Sequence, residues 1–303
     1  MSSTQQVLAI EPGALNRPRR PSWHRHLYGT DLAWAIAFIV PYAAVLVAFA
    51  LFPVAYGLWM ASSPALYVQL LTDDDYWSAV VSTVLYVGIG VNATMFLALL
   101  LSGFFMRTSW WVKAMLVVSM LPWALPAQTA FISFHWMMIY WGFLNSLLEK
   151  LFGIHGPDWL SHYWLALSAN IVASTWKTMP FWTLIFVAGR MAIPEDLYDA
   201  ADIDGATGVR RFVHLVVPLL GNLYLVCTLL ATIWMLGDYN TPDMVSNGAP
   251  LGSTAVLATV GVEFLLDSGR PDLGVAAVMA ALPVLIPAGV LLIRRLQTRE
   301  VQL

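Results

Sequence analysis

The chain carries the stretch Ile193-Pro-Glu-Asp-Leu-Tyr-Asp-Ala-Ala-Asp-Ile-Asp-Gly-Ala-Thr207 between two long apolar segments. Pro194 suits the first turn of a helix, and Glu195 and Asp196 suit its positive N-terminal end. Gly205 is placed to end that helix in a left-handed turn. The stretch therefore predicts a short helix. Its five acids, without a single Lys or Arg, favour docking to a protein over adsorption to an anionic lipid surface.

Long apolar segments flank this stretch and continue through most of the chain. Of the 303 residues, 59% are apolar and 11% are charged, against about 25% charged residues in soluble domains. A transmembrane helix needs about 20 mostly apolar residues. Six segments qualify, at about 32–60, 78–105, 114–141, 163–188, 212–237 and 273–293. Because these runs are continuous rather than alternating, they predict an all-α integral membrane protein with six transmembrane helices.

Lys and Arg side chains are distributed unevenly between the two sides of these segments. Of the 15 Lys and Arg residues, 12 fall on the side of both termini, two fall on the other, and Lys177 lies within the fourth segment. Since cytoplasmic loops collect Lys and Arg, both termini are predicted to be cytoplasmic. We expect a basic tail over 1–31, a membrane domain over 32–295 with the cytoplasmic loop 190–212, and a tail over 296–303.

The opposite side carries two apolar stretches, 147–152 and 256–266, that are too short to span and are predicted to be surface helices. The single cysteine, Cys227, excludes a disulfide within the chain. No His or Cys cluster with metal-ligand spacing and no nucleophile–base pair occurs near a segment. The sequence therefore predicts no metal site, no catalytic residues and no enzyme activity of its own.

The loop resembles the coupling motif of ABC importer permeases, which reads Glu-Ala-Ala, three residues, Gly, nine residues and Ile-x-Leu-Pro. This sequence has Asp199-Ala200-Ala201, then Gly205, then Leu215-Val-Val-Pro218, with both spacings kept. Asp replaces Glu, Leu replaces Ile and Val replaces Leu. The resemblance implies a coupling helix whose ATPase-coupling residues are Glu195, Asp199, Ala200, Ala201, Asp204, Gly205 and Pro218.

Further motifs resemble permeases of carbohydrate importers of the maltose-transporter type, over about residues 30–298. They are Leu121-Pro-Trp-Ala-Leu-Pro126 in the third segment, Thr175-Trp176 with Pro180 in the fourth, and Asn247-Gly-Ala-Pro250 outside. The resemblance implies a type I ABC importer permease fold in a bacterial-type cytoplasmic (inner) membrane. It also implies a sugar or polyol-like solute.

The same resemblance implies the partners. These are a second permease of different sequence, two copies of an ATP-binding subunit and an extracytoplasmic solute-binding protein, with the lipid bilayer around them and no nucleic acid. The chain lacks a Gly-x-x-x-x-Gly-Lys-Ser/Thr phosphate loop. We therefore expect no cofactor in this chain, with ATP and Mg bound by the partner subunits.

The resemblance also assigns positions along a substrate pathway: Trp123, Ser174, Lys177, Thr178, Phe181 and Asp238. Ala231 and Met235 fall at related positions but lack the polar groups that sugars use. A Lys at mid-membrane costs about 2.5–3.5 kcal/mol on insertion scales. Lys177 is therefore expected to meet the solute, a partner charge such as Asp238 or backbone carbonyls, or to lie at the lipid edge.

Two other interpretations stay open on the sequence alone. One is a self-contained, ion-coupled secondary transporter, although no repeat relates residues 30–150 to 160–295. The other is an ABC importer of a non-sugar or anionic solute, which the charge of Lys177 would suit.

Overall fold

The structure is a computed structural model that describes residues 30–280 and Leu282. Every regular element among those residues is helical. The chain divides into two compact units, Met1–Tyr56 and Gly57–Leu303. Nearly all of the predicted basic tail 1–31 and the whole of the tail 296–303 lie outside the described residues.

The helices are named here in chain order. They are α1 (Thr30–Leu46), α2 (Phe52–Met60), α3 (Pro64–Leu71), α4 (Asp74–Phe105), α5 (Trp110–Ser119), α6 (Leu121–Ala124), α7 (Ala127–Met138), α8 (Phe143–Phe152), α9 (Tyr163–Met191), α10 (Glu195–Ile203), α11 (Val209–Arg211), α12 (Val217–Leu219), α13 (Gly221–Leu236), α14 (Leu257–Leu266) and α15 (Pro271–Ala280). Three π-helical turns occur at Val47–Leu51, Phe212–Val216 and Pro242–Ser246.

The first predicted span is one apolar helix, Trp34–Met60, whose 27 residues are enough to cross a membrane. Its π turn, Val47–Leu51, ends just before Pro53. Proline has no N–H and its ring crowds the carbonyl four residues earlier. The backbone bonds shift accordingly, and the N–H of Phe52 bonds to the carbonyl of Val47, five residues back.

The second and fourth spans, α4 and α9, pack along their length and form the centre of the Gly57–Leu303 unit. Both predicted helices are present, and their 32 and 29 residues are long and apolar enough to cross a membrane. At the start of α4 the side chain of Asp73 accepts the N–H of Asp75 at 2.9 Å, which caps the helix. Midway, Thr94 Oγ1 and Thr175 Oγ1 lie 3.0 Å apart in a buried hydrogen bond that fixes the register of the pair.

The third span is broken rather than continuous. Trp110–Ala124 and Ala127–Met138 meet at an angle of 93°. Pro126 lacks an N–H, and the residue before a proline avoids the helical region. Leu125 is accordingly extended, with φ −68° and ψ 145°. The break leaves carbonyl oxygens at the end of α6 without helical donors.

The fifth span is also broken, because Val209–Leu219 and Gly221–Leu236 meet at 71°. A π turn, Phe212–Val216, precedes Pro218, the same arrangement seen before Pro53. The predicted coupling residue Pro218 therefore lies at the bend that joins the loop 190–212 to α13.

The two predicted surface helices are present as α8 and α14. The sixth span begins as α15, and most of its predicted range 273–293 lies outside the described residues. A Cβ atom placed on Gly274 would lie 2.5 Å from the carbonyl oxygen of Gly261, so α14 and α15 cross at backbone contact.

Among the described residues, three continuous helices are long and apolar enough to cross a membrane. The number of candidate spans is five if each bent pair counts as one.

Candidate functional site

A small cavity lies between α4, α9 and α13, and three of the six predicted pathway residues line it. Its volume is about 60 Å³. An engineered dry cavity of about 150 Å³ holds one benzene ring, so this smaller cavity must widen before a sugar ring fits. Its lining residues are Val91, Thr94, Ser174, Thr178, Trp182, Ala231, Trp234, Met235 and Asp238.

Asp238 is held at one end of this cavity by three hydrogen bonds. The buried hydroxyl of Tyr86 donates to Asp238 Oδ2 at 2.7 Å. The backbone N–H of Thr241 donates to Oδ1 at 3.1 Å, and the Thr241 hydroxyl donates to Oδ2. These donors hold the carboxylate in place, and Asp238 lines the cavity together with Ser174 and Thr178.

Lys177 does not pair with Asp238, so that candidate partnership is wrong. The Lys177 ammonium donates to the carbonyl oxygens of Pro122 at 3.1 Å and Leu125 at 2.6 Å. These are carbonyls at the break of the third span, and a cation at a helix C-terminus is favourable. Of the contacts expected for Lys177, the structure therefore shows backbone carbonyls, and these bonds link α9 to the broken span. With the ammonium engaged there, its charge gives no support to an anionic solute.

A row of aromatic rings runs beside the cavity. Trp123 stacks on Phe181 with ring centroids 5.5 Å apart and an interplanar angle of 14°. Phe181 in turn contacts Trp182 at 5.0 Å and Trp234 at 5.4 Å. The structure therefore brings Trp123 and Phe181 together, and places Ser174, Thr178 and Asp238 on the adjacent cavity wall.

Trp234 is a site residue that the sequence analysis missed. It lines the cavity, contacts Trp182 at 5.3 Å and remains 53% exposed. The signal was its spacing: Ala231, Trp234 and Asp238 recur at three and four residues, which places them on one face of a helical segment. The apolar Ala231 and Met235 lie on the same wall.

The predicted coupling helix is present as the short helix α10. Pro194 precedes the helix as its N-cap residue rather than lying in the first turn. Gly205 is left-handed with φ 68°. The N–H of Ala206 bonds to the carbonyl of Ala201 at 2.8 Å, and the N–H of Gly205 bonds to that of Asp202 at 3.1 Å. This pair of bonds is a Schellman motif, and it stops the helix where the glycine was expected to stop it.

The acids of α10 divide between two faces. Glu195, Asp199 and Asp202 line a cleft of about 540 Å³ that separates α10 from the ends of α4 and α9. At 100° per residue, Ala200 and Asp204 lie on the opposite face. Two of the predicted coupling residues therefore face the cleft, and two face away from the bundle.

Asp202 forms a salt bridge with Arg211, in which Asp202 Oδ1 lies 3.1 Å from Arg211 Nη1. Among the described residues, Asp199 has no ion pair or hydrogen bond, and its side chain is exposed. Ile203 at the end of α10 is 87% exposed, and Val209 just beyond is 78% exposed. The helix thus presents free carboxylates beside uncovered apolar side chains, a surface suited to a protein partner.

Residues 90–300 match the family described as the binding-protein-dependent transport system inner membrane component. The match takes in the cavity, both bent spans and the coupling helix. The chain belongs to this family. The permease is therefore an inner membrane component of an ABC importer, which agrees with the predicted family and decides against the ion-coupled secondary transporter.

Two curated relatives and one solved structure are similar over most of the permease. It is 33% identical to the sulfoquinovosyl glycerol transport system permease protein SmoG of Agrobacterium fabrum, over 88% of this chain and 92% of SmoG. It is 28% identical to the trehalose/maltose transport system permease protein MalF of Thermococcus litoralis, over 75% and 81% of the two chains.

The solved structure is a bacterial ABC transporter involved in the import of the acidic polysaccharide alginate. It superposes with a TM-score of 0.70 at 19% identity, over 92% of the permease and 97% of the aligned chain. At that identity the likeness concerns the fold, and it supports the predicted type I importer permease fold.

Proposed function

We propose that the permease forms one half of the translocation pathway for a sugar or polyol-like solute. Relatives are named as transporting sulfoquinovosyl glycerol, trehalose and maltose, or diacetylchitobiose, all of them carbohydrates or glycosides. The observation that carries the proposal is the cavity, where hydroxyl-bonding groups of Ser174, Thr178 and Asp238 adjoin the stacked rings of Trp123 and Phe181. Aromatic faces bind the apolar faces of sugar rings, and fixed polar groups bind their hydroxyls.

Energy for transport comes, on this proposal, from ATP-binding subunits that dock on α10 at the cytoplasmic side. Its free carboxylates and exposed apolar residues supply the docking surface. A second permease completes the pathway. A binding protein delivers the solute from outside, as in the solved alginate transporter in complex with its oligosaccharide-bound periplasmic protein.

The cavity requires motion during the cycle. At about 60 Å³ it is closed to a sugar ring, while the spans beside it are bent at Pro126 and near Pro218. We propose that force on α10 moves these bent segments and opens the cavity in turn to either side of the membrane.

Replacing Phe181 with alanine tests the sugar pathway. Because the ring offers a stacking face worth about 1 kcal/mol, we expect the KM for uptake to rise about fivefold to tenfold. The assay uses proteoliposomes holding the whole transporter, with ATP inside, binding protein outside and a panel of labelled disaccharides, polyols and dipeptides.

Phe152→Ala is the matched control, since this ring is 67% exposed at the end of the surface helix α8. Uptake of dipeptides but of no sugar or polyol would contradict the proposed solute class. Sugar uptake by the Phe181 variant with the wild-type KM would show that the aromatic row does not contact the solute.

A further inference from the structure

Arg190 is a buried arginine in the last turn of α9, at the inner end of the cleft beside the coupling helix. It is 7% exposed. Its Nε donates to Ser102 Oγ at 2.7 Å, and its Nη2 donates to the carbonyl of Leu99 at 3.0 Å, both on α4. The sequence analysis counted it only as one of the cytoplasmic charges, because burial cannot be read from its position at the end of a span.

The same guanidinium contacts the segment that follows the coupling helix. Its Cζ lies 5.5 Å from the ring centroid of Phe212, the first residue of the π turn. A Cβ atom on Gly103 would lie 3.4 Å from both terminal nitrogens, so the guanidinium is also packed against the α4 backbone. One side chain therefore joins α4, α9 and the start of the bent fifth span.

Arg190 has no carboxylate partner in the described part of the chain. A buried charge without a counter-charge is costly, and an apolar side chain of similar volume usually stabilises such a position at least as well. Stability alone therefore does not account for an arginine here. What an apolar residue cannot supply is the pair of hydrogen bonds to α4 together with the cation–π contact to Phe212 at the start of the fifth span.

We propose that Arg190 is a positioning residue that makes the cytoplasmic end of α4 move together with the coupling loop, so that ATP-driven movement of α10 reaches the spans around the cavity. This rests on the proposed importer function. Without the guanidinium, α10 and α11 would shift against the bundle while α4 stayed in place, and ATP would be hydrolysed without solute crossing.

The test uses the complete transporter in proteoliposomes and the double variant Arg190→Met with Ser102→Ala. Removing the guanidinium and the Ser102 hydroxyl together leaves neither side chain with an unpaired polar partner, so the variant retains its fold better than Arg190→Met alone. We expect assembly and basal ATP hydrolysis to stay at the wild-type level. Uptake per ATP should fall about tenfold, the effect of losing a hydrogen bond to a charged group. Arg190→Lys should recover part of it.

A distance measurement separates this role from plain stability. Spin labels are attached to cysteines introduced at Met106, after α4, and at the exposed Thr207, just after α10, with Cys227 replaced by alanine. Wild type should give one narrow distance distribution that shifts when ATP is added. The double variant should give a broad one that does not shift.

Wild-type uptake per ATP together with narrow distances in the double variant would overturn the proposal. So would failure of that variant to assemble, since Arg190 would then serve stability alone. Absence of ATP-driven sugar uptake by the wild type would instead refute the proposed function, and the distances would still report on Arg190.

Discussion

Replacing Asp199 with lysine is expected to lower ATP-driven uptake about 30-fold or more. Asp199 is exposed on α10 and, among the described residues, unpaired, so its charge is available to a basic surface of the ATP-binding subunit. Like charges brought together across an interface cost several kcal/mol, and each 1.4 kcal/mol is a factor of ten. The lysine would also face Arg190 and Arg211 in the cleft. Uptake and subunit retention are measured on the same purified preparation.

Two variants at the same position serve as controls for this charge reversal. Asp199→Glu restores the residue of the motif and should keep uptake near the wild-type value. Asp199→Asn removes the charge without reversing it and should lie between the two. Uptake by the lysine variant at the wild-type rate would show that the acidic helix is not where ATP-binding subunits act.

Replacing Lys177 with methionine is expected to produce the second large loss. Its ammonium donates to the carbonyls of Pro122 and Leu125 at the break of the third span. A hydrogen bond to a charged group contributes about 1.5–3 kcal/mol, and the methionine variant loses two of them. We expect the purified transporter to denature at a lower temperature and its uptake to fall, because the 93° bend loses its tie to α9.

A second substitution at this position separates the capping role from contact with the solute. Lys177→Arg keeps a cation that can donate to both carbonyls, and it should restore the denaturation temperature. If Lys177→Met denatures at the wild-type temperature but has a raised KM, then the ammonium binds solute and the capping role is wrong.

Much of the architecture follows from the sequence because a bilayer accepts few backbone arrangements. Apolar length alone located the two long helices α4 and α9, and turn chemistry located both ends of α10. Gly205 is the clearest case: its left-handed conformation follows from its position after the acidic helix. These features depend on local chemistry or on composition, which one sequence displays directly.

Features that depend on contacts between spans were not predictable in the same way. The prolines of the third span were evident, but the 93° bend also involves Lys177 from another helix. Lys177 and Asp238 were matched by opposite charge alone, whereas Tyr86 and Thr241 already satisfy the acid. Arg190 is one of the 12 Lys and Arg residues predicted on the side of both termini, and its partner Ser102 lies 88 residues away.

The central claim is that this permease works as a subunit driven by separate ATP-binding partners. The most direct measurement is gentle purification of the tagged chain from its native membrane, with identification of every co-purifying protein and an uptake assay of the purified material. The account predicts recovery of a second permease and an ATP-binding subunit that carries a phosphate loop, together with uptake that requires ATP. Recovery of the chain alone, still able to transport solute without ATP, would contradict it.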